Sequence, residues 1–434
     1  VKRTASALTL ISVLLLSLLL VASVPSLKAV TEAPKTEWEK NYGHITGKSV
    51  VQIADGGFVI AGQKGDDPYY AGHGSYSYNN ITNVLFKTDT AGNVQWTKDL
   101  QYTVHIMILT KDGGFAIVGS RTSGWLTGLE IFLEKTDVDG NSQWVRTYVR
   151  GDTYASINFL IQTQDNGFVF GGWVNLKPLQ SAVENDKAWI VKTDSVGSLQ
   201  WDRTYGGVLS EPPSRASSIV QTSDGGFIFV GNVDGASIVR IDALGDIQLT
   251  KTYSHTSLNS VIKTNDGGYL LGGYEQLQAS AYVIKTDSEL NIQWNRTYSE
   301  ILSVIFALQD SLDDSYLFSG WYGSLVKTDS FGNIEWNKEY NGTRLSIIET
   351  DDGGYVFTGY TRDLAKSSIT YILLVKLAPE SATIPDETSS PPNETSPPPD
   401  ETFPPFPTTW IVAAVIIVAV VGISLLFYFK KRKR

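Results

Sequence analysis

The chain has 434 residues, no cysteine, and 45 acidic against 35 basic side chains. Without cysteine there are no disulfides, no thiolate metal sites and no cysteine nucleophile, so a domain of this size must be held by packing. Eight of the 35 basic residues lie in residues 1–29 and 430–434, which leaves 27 against 45 acids in residues 30–409, a net of −18. A surface of that sign repels nucleic acid and anionic lipid, and no nucleic-acid partner is expected.

Lys2 and Arg3 precede an apolar run from Ala7 to Val24, and the small residues Ser23, Ser26 and Ala29 follow. This layout predicts a signal peptide over residues 1–29, cleaved near Ala29, with an uncleaved anchor as the alternative. Next comes an isolated strand, Glu37 to Tyr42, which reads Glu-Trp-Glu-Lys-Asn-Tyr.

Two motifs then alternate along residues 30–378. The tetrad Asp-Gly-Gly-Phe begins at Asp55, Asp112 and Asp224, and in variant form at Asp165, Asp266, Asp313 and Asp352, the seven copies lying at intervals of 39 to 59 residues. Such intervals bracket the ~40–50 residues of a propeller blade. The second motif, Lys-Thr-Asp-x-x-Gly-Asn-x-x-Trp, runs from Lys87 to Trp96. It recurs at Lys135–Trp144, Lys192–Trp201, Arg240–Leu249, Lys285–Trp294 and Lys327–Trp336. Each unit reads as four strands a to d; in the first they are 49–53, 57–62, 84–88 and 94–100. Glycine in the Asp-Gly-Gly turn (a to b) and in the Asp-x-x-Gly turn (c to d) supplies the positive φ of a tight hairpin.

The seventh unit has strands at 345–350, 354–359 and 371–377, then Ala378 and Pro379, and no Trp strand follows. The missing strand matches Trp38 to Tyr42, which resembles Trp336 to Tyr340. The prediction is an all-β, seven-bladed β-propeller of four-stranded blades, closed by pairing of residues 37–42 into the last blade. Closure removes the free sheet edges an open array would leave.

Residues 379–409 hold ten of the sixteen prolines with Glu, Asp, Ser and Thr, and read as an extended stalk. Residues 410–429 carry no charge and are long enough for one transmembrane helix; Lys430 to Arg434 form a basic tail expected on the cytoplasmic side. The expected localisation is the cell membrane, single-pass, with the ectodomain outside.

In such a ring the a–b and c–d turns share one rim and the b–c and d–a connections the other. The second rim carries the long insertions, so binding is expected there. One position on it, just after the last Gly of strand b, holds Gln63, Ser120, Trp173, Asn232, Tyr274, Trp321 and Tyr360 in turn. Trp173, Tyr274, Trp321 and Tyr360, with Tyr69, Tyr70 and Trp125 in nearby loops, are the candidate ligand-binding residues, as stacking surfaces or protein anchors; packing of the blade tops is the competing reading. The d-strand tryptophans Trp38, Trp96, Trp144, Trp201, Trp294 and Trp336 are expected to pack between blades, and the tetrad acids to form turns. Asp137, Asp139 and Asn141 are a fragment of a calcium loop without its terminal acid, so no metal site is expected. His44, His73, His105 and His255 are scattered, and no nucleophile, phosphate-loop or zinc motif appears, so no catalytic residue is assigned. Asn80, Asn295, Asn341 and Asn393 are glycosylation candidates.

The c–d motif resembles the tryptophan-docking repeat of the pyrroloquinoline-quinone-like propellers, Ala-x-Asp-x-x-Thr-Gly-x-x-x-Trp. In both, a Gly four residues before the Trp turns the hairpin, as Gly92 does before Trp96. The resemblance implies the fold over residues 37–378. Seven units instead of eight, one residue fewer between Asp and Gly, and the lack of vicinal cysteines separate the chain from the quinone dehydrogenases, and no cofactor is expected. The stalk, apolar span and basic tail resemble the ends of archaeal cell-surface proteins. The function expected is a surface-displayed binding module for an extracellular glycan, peptide or envelope protein. An extracellular carboxylate-based hydrolase or lyase is the alternative, and a structural envelope component the third reading.

Overall fold

A computed structural model describes residues 32–380 except 44, 65–67, 73–74, 79–81, 123–128, 150–153, 176–185, 208–212, 254–255, 277–279, 302–303, 310–312, 321–322, 341–342 and 363–369. The signal peptide, the stalk beyond Glu380, the apolar span and the basic tail lie outside the described residues.

Seven four-stranded antiparallel sheets follow one another along the chain. Blade 1 contains strands a to d at Ile45–Gln52, Phe58–Lys64, Thr82–Thr88 and Val94–Leu100. Blade 2 uses Thr103–Leu109, Phe115–Thr122, Leu129–Thr136 and Ser142–Val149, and blade 3 Tyr154–Gln162, Phe168–Asn175, Asp186–Thr193 and Leu199–Tyr205. Blade 4 uses Arg215–Gln221, Phe227–Val233, Ala236–Ile241 and Ile247–Lys251, and blade 5 Thr256–Lys263, Tyr269–Glu275, Ser280–Thr286 and Ile292–Tyr298. Blade 6 uses Val304–Gln309, Tyr316–Gly320, Ser324–Thr328 and Ile334–Glu339. Blade 7 takes strands a to c from Thr343–Glu349, Tyr355–Arg362 and Thr370–Leu377, and its fourth strand is Thr36–Asn41. Trp38 pairs with Lys376 there, the same register in which Trp336 pairs with Lys327 in blade 6. A further hairpin, Pro68–Gly72 with Ser75–Tyr78, lies between strands b and c of blade 1.

Strand a of each blade touches strand a of the next, and the series ends where blade 7 touches blade 1. The a strands therefore surround the axis, and the d strands, mostly exposed, form the outer wall. Every a strand carries a bulge at one place, Lys48, His105, Asn158, Ser217 and Asn259 among them. A bulge bends a strand and tightens its twist, which suits the crowded inner edge of a blade. Two of these residues stitch neighbouring blades: Lys48 Nζ donates to the Val104 carbonyl at 2.9 Å, and Asn158 Nδ2 to that of Ala216 at 2.8 Å.

The core lies between blades, in seven clusters that each join one blade to the next. Strand b is apolar on both faces because it is covered on both; Phe168, Val169 and Phe170 are all buried. Past Leu377 the chain fills the position of a c–d turn. The Ala378 amide donates to the Lys35 carbonyl at 2.9 Å. The Glu380 carboxylate accepts from the Trp336 indole at 2.8 Å and pairs with Lys327 at 2.9 Å. The chain thus leaves the propeller on the rim of short turns.

Candidate binding face

The repeated residues account for the short-turn rim. In each tetrad one carboxylate oxygen caps its own turn, as Asp165 Oδ1 does with the Gly167 amide at 3.1 Å. The other oxygen pairs with the cation that opens the second motif, a role the tetrad alone did not reveal. Lys192 Nζ stands 2.8 Å from Asp165 Oδ2 and also donates to the Thr193 carbonyl and to Gln200. Lys87, Lys135, Arg240, Lys285 and Lys376 repeat the pairing with Asp55, Asp112, Asp224, Asp266 and Asp352. Partial burial of Asp112 and Asp165 opposes ionisation, yet hydrogen bonds from Thr and Lys override it and hold both carboxyls near about 2. Asp224 is brought to about 2 by Thr222 and then Arg240.

The second-motif acids serve the c–d turn. Asp137 Oδ1 accepts the amides of Asp139 and Asn141, and Oδ2 accepts the Asn141 side chain at 3.0 Å. Asp89, Asp287 and Asp329 do the same. These oxygens are engaged in turn formation, and among the described residues no cluster of three acids or histidines is placed to hold a metal ion.

The d-strand tryptophans lie against the next blade. Trp38, Trp144 and Trp201 meet Phe58, Phe168 and Phe227 edge-on, with centroids 5.9, 6.0 and 6.2 Å apart. Each covers the turn glycine of that blade: a Cβ at Gly197 would lie 2.6 Å from Trp144, and one at Gly332 2.9 Å from Trp294. Trp96 covers Gly140 likewise, and Trp336 is buried beside Glu380. Blade 4 has Leu249 in place of Trp, and the facing turn in blade 5 has Leu290 in place of Gly. Leu290 keeps the positive φ, 63°, and is buried in the core between these blades. The two exceptions are thus complementary.

On the long-loop rim, Trp173 is half-buried at the end of strand b of blade 3, and the Arg215 guanidinium lies over its ring, 5.0 Å from the centroid. Arg215 comes from blade 4. Its Nε and Nη2 both donate to Asp186 Oδ2, at 3.1 and 2.6 Å, while Asn175 Nδ2 donates to Oδ1 at 3.1 Å. The Asp186 side chain is 4% exposed and that of Arg215 46%. The six counterparts of Arg215 are Thr46, Thr103, Ser156, Ser257, Ser303 and Thr343, so this arginine is no part of the repeat. Sequence reasoning selected Trp173 and missed Arg215, Asp186 and Asn175; the break in a Ser/Thr series was the available signal.

Tyr274 occupies the Trp173 position in blade 5, half-buried and paired in register with Ser257 and Ala281. Tyr360 lies at that position in blade 7, opposite Thr343 and Ile372. Tyr69 and Tyr70 belong to the extra hairpin of blade 1, opposite Ser77 and Tyr76. The side chains of these last three, and Trp125 and Trp321 altogether, lie outside the described residues, as do Asn80, Asn341 and Asn393. Asn295 is exposed on strand d of blade 5.

Two further departures from the repeat occur in blade 2. Glu134 is buried where the other blades carry Phe86, Val191, Val239, Ile284, Val326 and Val375, and it accepts a short hydrogen bond from the Tyr102 hydroxyl. His105 Nε2 is 2.7 Å from Ser120 Oγ. Burial, and then the charge of Lys48, depress the imidazole to about 4. Among the described residues no carboxylate bonds to His105 in the orienting position of a catalytic triad.

No protein-family model matches the chain, and no curated protein matches it. Solved structures do. The chain is similar to BBS1N in complex with ARL6DN, with a TM-score of 0.52 at 10% identity over 81% of this chain and 99% of that one. It is similar to the Dos1 propeller, with a TM-score of 0.50 at 13% identity over 80% and 96%. It also aligns with BamB from Moraxella catarrhalis, with a TM-score of 0.44 at 13% identity over 79% and 99%. At such identities the likeness is one of fold, and the class it defines, with the seven sheets, is the seven-bladed β-propeller.

Proposed function

We propose that the chain is a membrane-anchored binding module of the cell surface that recognises an extracellular glycan, peptide or envelope protein through its long-loop rim. The observation that carries this reading is the Trp173, Arg215, Asp186 and Asn175 cluster. It joins blades 3 and 4 on that rim, departs from the repeat, and leaves an arginine half exposed over an indole. A rigid scaffold with non-repeating polar and aromatic groups on one rim is how recognition is normally built. The exported, single-pass topology rests on the signal-like residues 1–29 and on the basic residues that follow the apolar span.

Glycan-array and pulldown screening of the full chain tests the proposal, repeated with Trp173→Ala and Trp321→Ala combined. Ligands captured by the parent and lost in the double variant support it. Ligands retained unchanged refute the choice of rim.

A further inference from the structure

We propose that the Arg215 guanidinium is the recognition group for a carboxylate, and that the ligand on the long-loop rim is an acidic sugar such as a uronate residue of a polysaccharide. This rests on the reading of that rim as a binding face and names the chemistry it selects.

The geometry of the guanidinium carries the inference. Nε and Nη2 converge on one oxygen, Asp186 Oδ2. Among the described residues nothing bonds to Nη1. The edge formed by Nη1 and the second hydrogen of Nη2 is the edge that fits a carboxylate with two parallel hydrogen bonds. Its orientation is fixed before any ligand arrives. Asp186, 4% exposed and held by Asn175, pins one side of the group, and Trp173 supports its plane. Preorganisation of this kind lowers the ordering cost of binding. If interblade cohesion alone were at stake, the Ser or Thr used at the six other positions would do. Arginine here introduces a charge into a rim built from hydroxyls, and its buried partner offsets the charge only on the inner side. The neighbouring aromatic, Trp173, is the side chain best suited to lie along a sugar ring beside that carboxylate.

The general field of the protein works in the opposite direction. Residues 30–409 carry a net charge of −18, which repels an anionic ligand over long range. That repulsion is screened beyond ~8 Å at physiological salt, whereas the direct contact with Arg215, partly buried and at hydrogen-bond distance, is screened much less. Affinity for a uronate oligosaccharide is therefore expected to hold or rise as salt increases from low to physiological strength, the reverse of binding driven by a diffuse basic patch.

The test uses the full chain and two forms of one probe, an oligogalacturonate and the same oligosaccharide with its carboxyls reduced to alcohols, measured by calorimetry. The expected result is at least tenfold tighter binding of the carboxylate form, abolished by Arg215→Gln together with Asp186→Asn and weakened by Arg215→Lys. The double variant removes both charges at once and so avoids leaving Asp186 buried without its partner. Circular dichroism and the unfolding midpoint confirm that each variant is folded. Equal affinity for the two forms overturns the assignment to a carboxylate while the rim remains a binding face. A polyglutamate peptide that competes as well as the oligogalacturonate overturns the sugar assignment in favour of an acidic peptide. Binding of other array ligands at the rim, with neither form of the probe bound, overturns this inference alone. Ligands retained unchanged by the combined Trp173→Ala and Trp321→Ala variant overturn both.

Discussion

Leu249 and Leu290 are expected to behave as a coupled pair, and a double-mutant cycle measures the coupling. Leu290 is 1% exposed, so Leu290→Gly removes a buried side chain at a typical cost of ~2–5 kcal/mol. Relief of the left-handed backbone at φ 63° returns ~1 kcal/mol, for a net loss of about 1–4 kcal/mol. Leu249→Trp alone brings an indole towards a turn already filled by Leu290, an overpacking that costs ~1–3 kcal/mol. Together the two substitutions recreate the Trp201–Gly245 arrangement of the preceding interface, where a Cβ on the glycine would lie 3.3 Å from the indole. The double variant should therefore be close to the parent in stability, with a coupling of at least ~2 kcal/mol in its favour. Urea unfolding of the four proteins, followed by far-ultraviolet circular dichroism, gives the cycle. Losses that simply add, within ~0.5 kcal/mol, would refute the idea that the two exceptions to the repeat compensate each other.

Acid should weaken the propeller over a defined window. Asp112, Asp165 and Asp224 have folded-state values near about 2 against an ordinary 3.8, so their contribution is present above pH ~4 and is lost as pH falls through 2. Urea midpoints that stay level between pH 5 and pH 2 would contradict this, and the Asp165→Asn variant should show a shallower fall than the parent. Removal of residues 37–42 takes the fourth strand from blade 7, exposes the edge of strand c there and leaves Lys376 without Glu37 and Trp38 beside it. Loss of a single cooperative thermal transition is expected, and a deletion that unfolds at the parental temperature would refute closure by this strand.

Much of the fold was legible because it is written seven times. A turn that needs positive φ states that need in glycine, and the missing Trp strand after Leu377 could be counted against the surplus one at Trp38. The tetrad acid and the second-motif cation also recur together, and the fourth unit keeps Asp224 while exchanging lysine for Arg240. That co-occurrence carried the ion pair, but the turn explains one carboxylate oxygen and offers no reason to look for a partner for the second. Strand a of blade 1 was read from residue 49, whereas it begins at Ile45. The bulge at Lys48 shifts the alternation by one residue, so a period-two reading starts only after it. Arg215 stands out in the Ser/Thr series, but what it does there was illegible for another reason. Its partners Trp173 and Asp186 belong to the previous blade, and no local pattern links residues that meet only when blades stack.

What distinguishes the site from the rest of the ring is the kind of departure it makes. Leu290 breaks the glycine rule, and the loss of Trp at Leu249 provides the room. Glu134 breaks the apolar rule, and the Tyr102 hydroxyl satisfies it within the core. Both exchanges are inward, each made and compensated between adjacent blades, and neither leaves a group directed at solvent. Arg215 breaks the Ser/Thr rule and is compensated on one side only. Asp186, buried and braced by Asn175, neutralises and fixes the guanidinium, while nearly half of the side chain remains exposed over Trp173. A buried carboxylate is costly to desolvate unless it is fully bonded. The six positions equivalent to Arg215 carry Ser or Thr and no such charge, so a carboxylate held here to orient an exposed arginine fits the proposal that the outward edge has a partner of its own. That asymmetry, more than the aromatic residues themselves, is what leads us to propose blades 3 and 4 as the place where a ligand would bind.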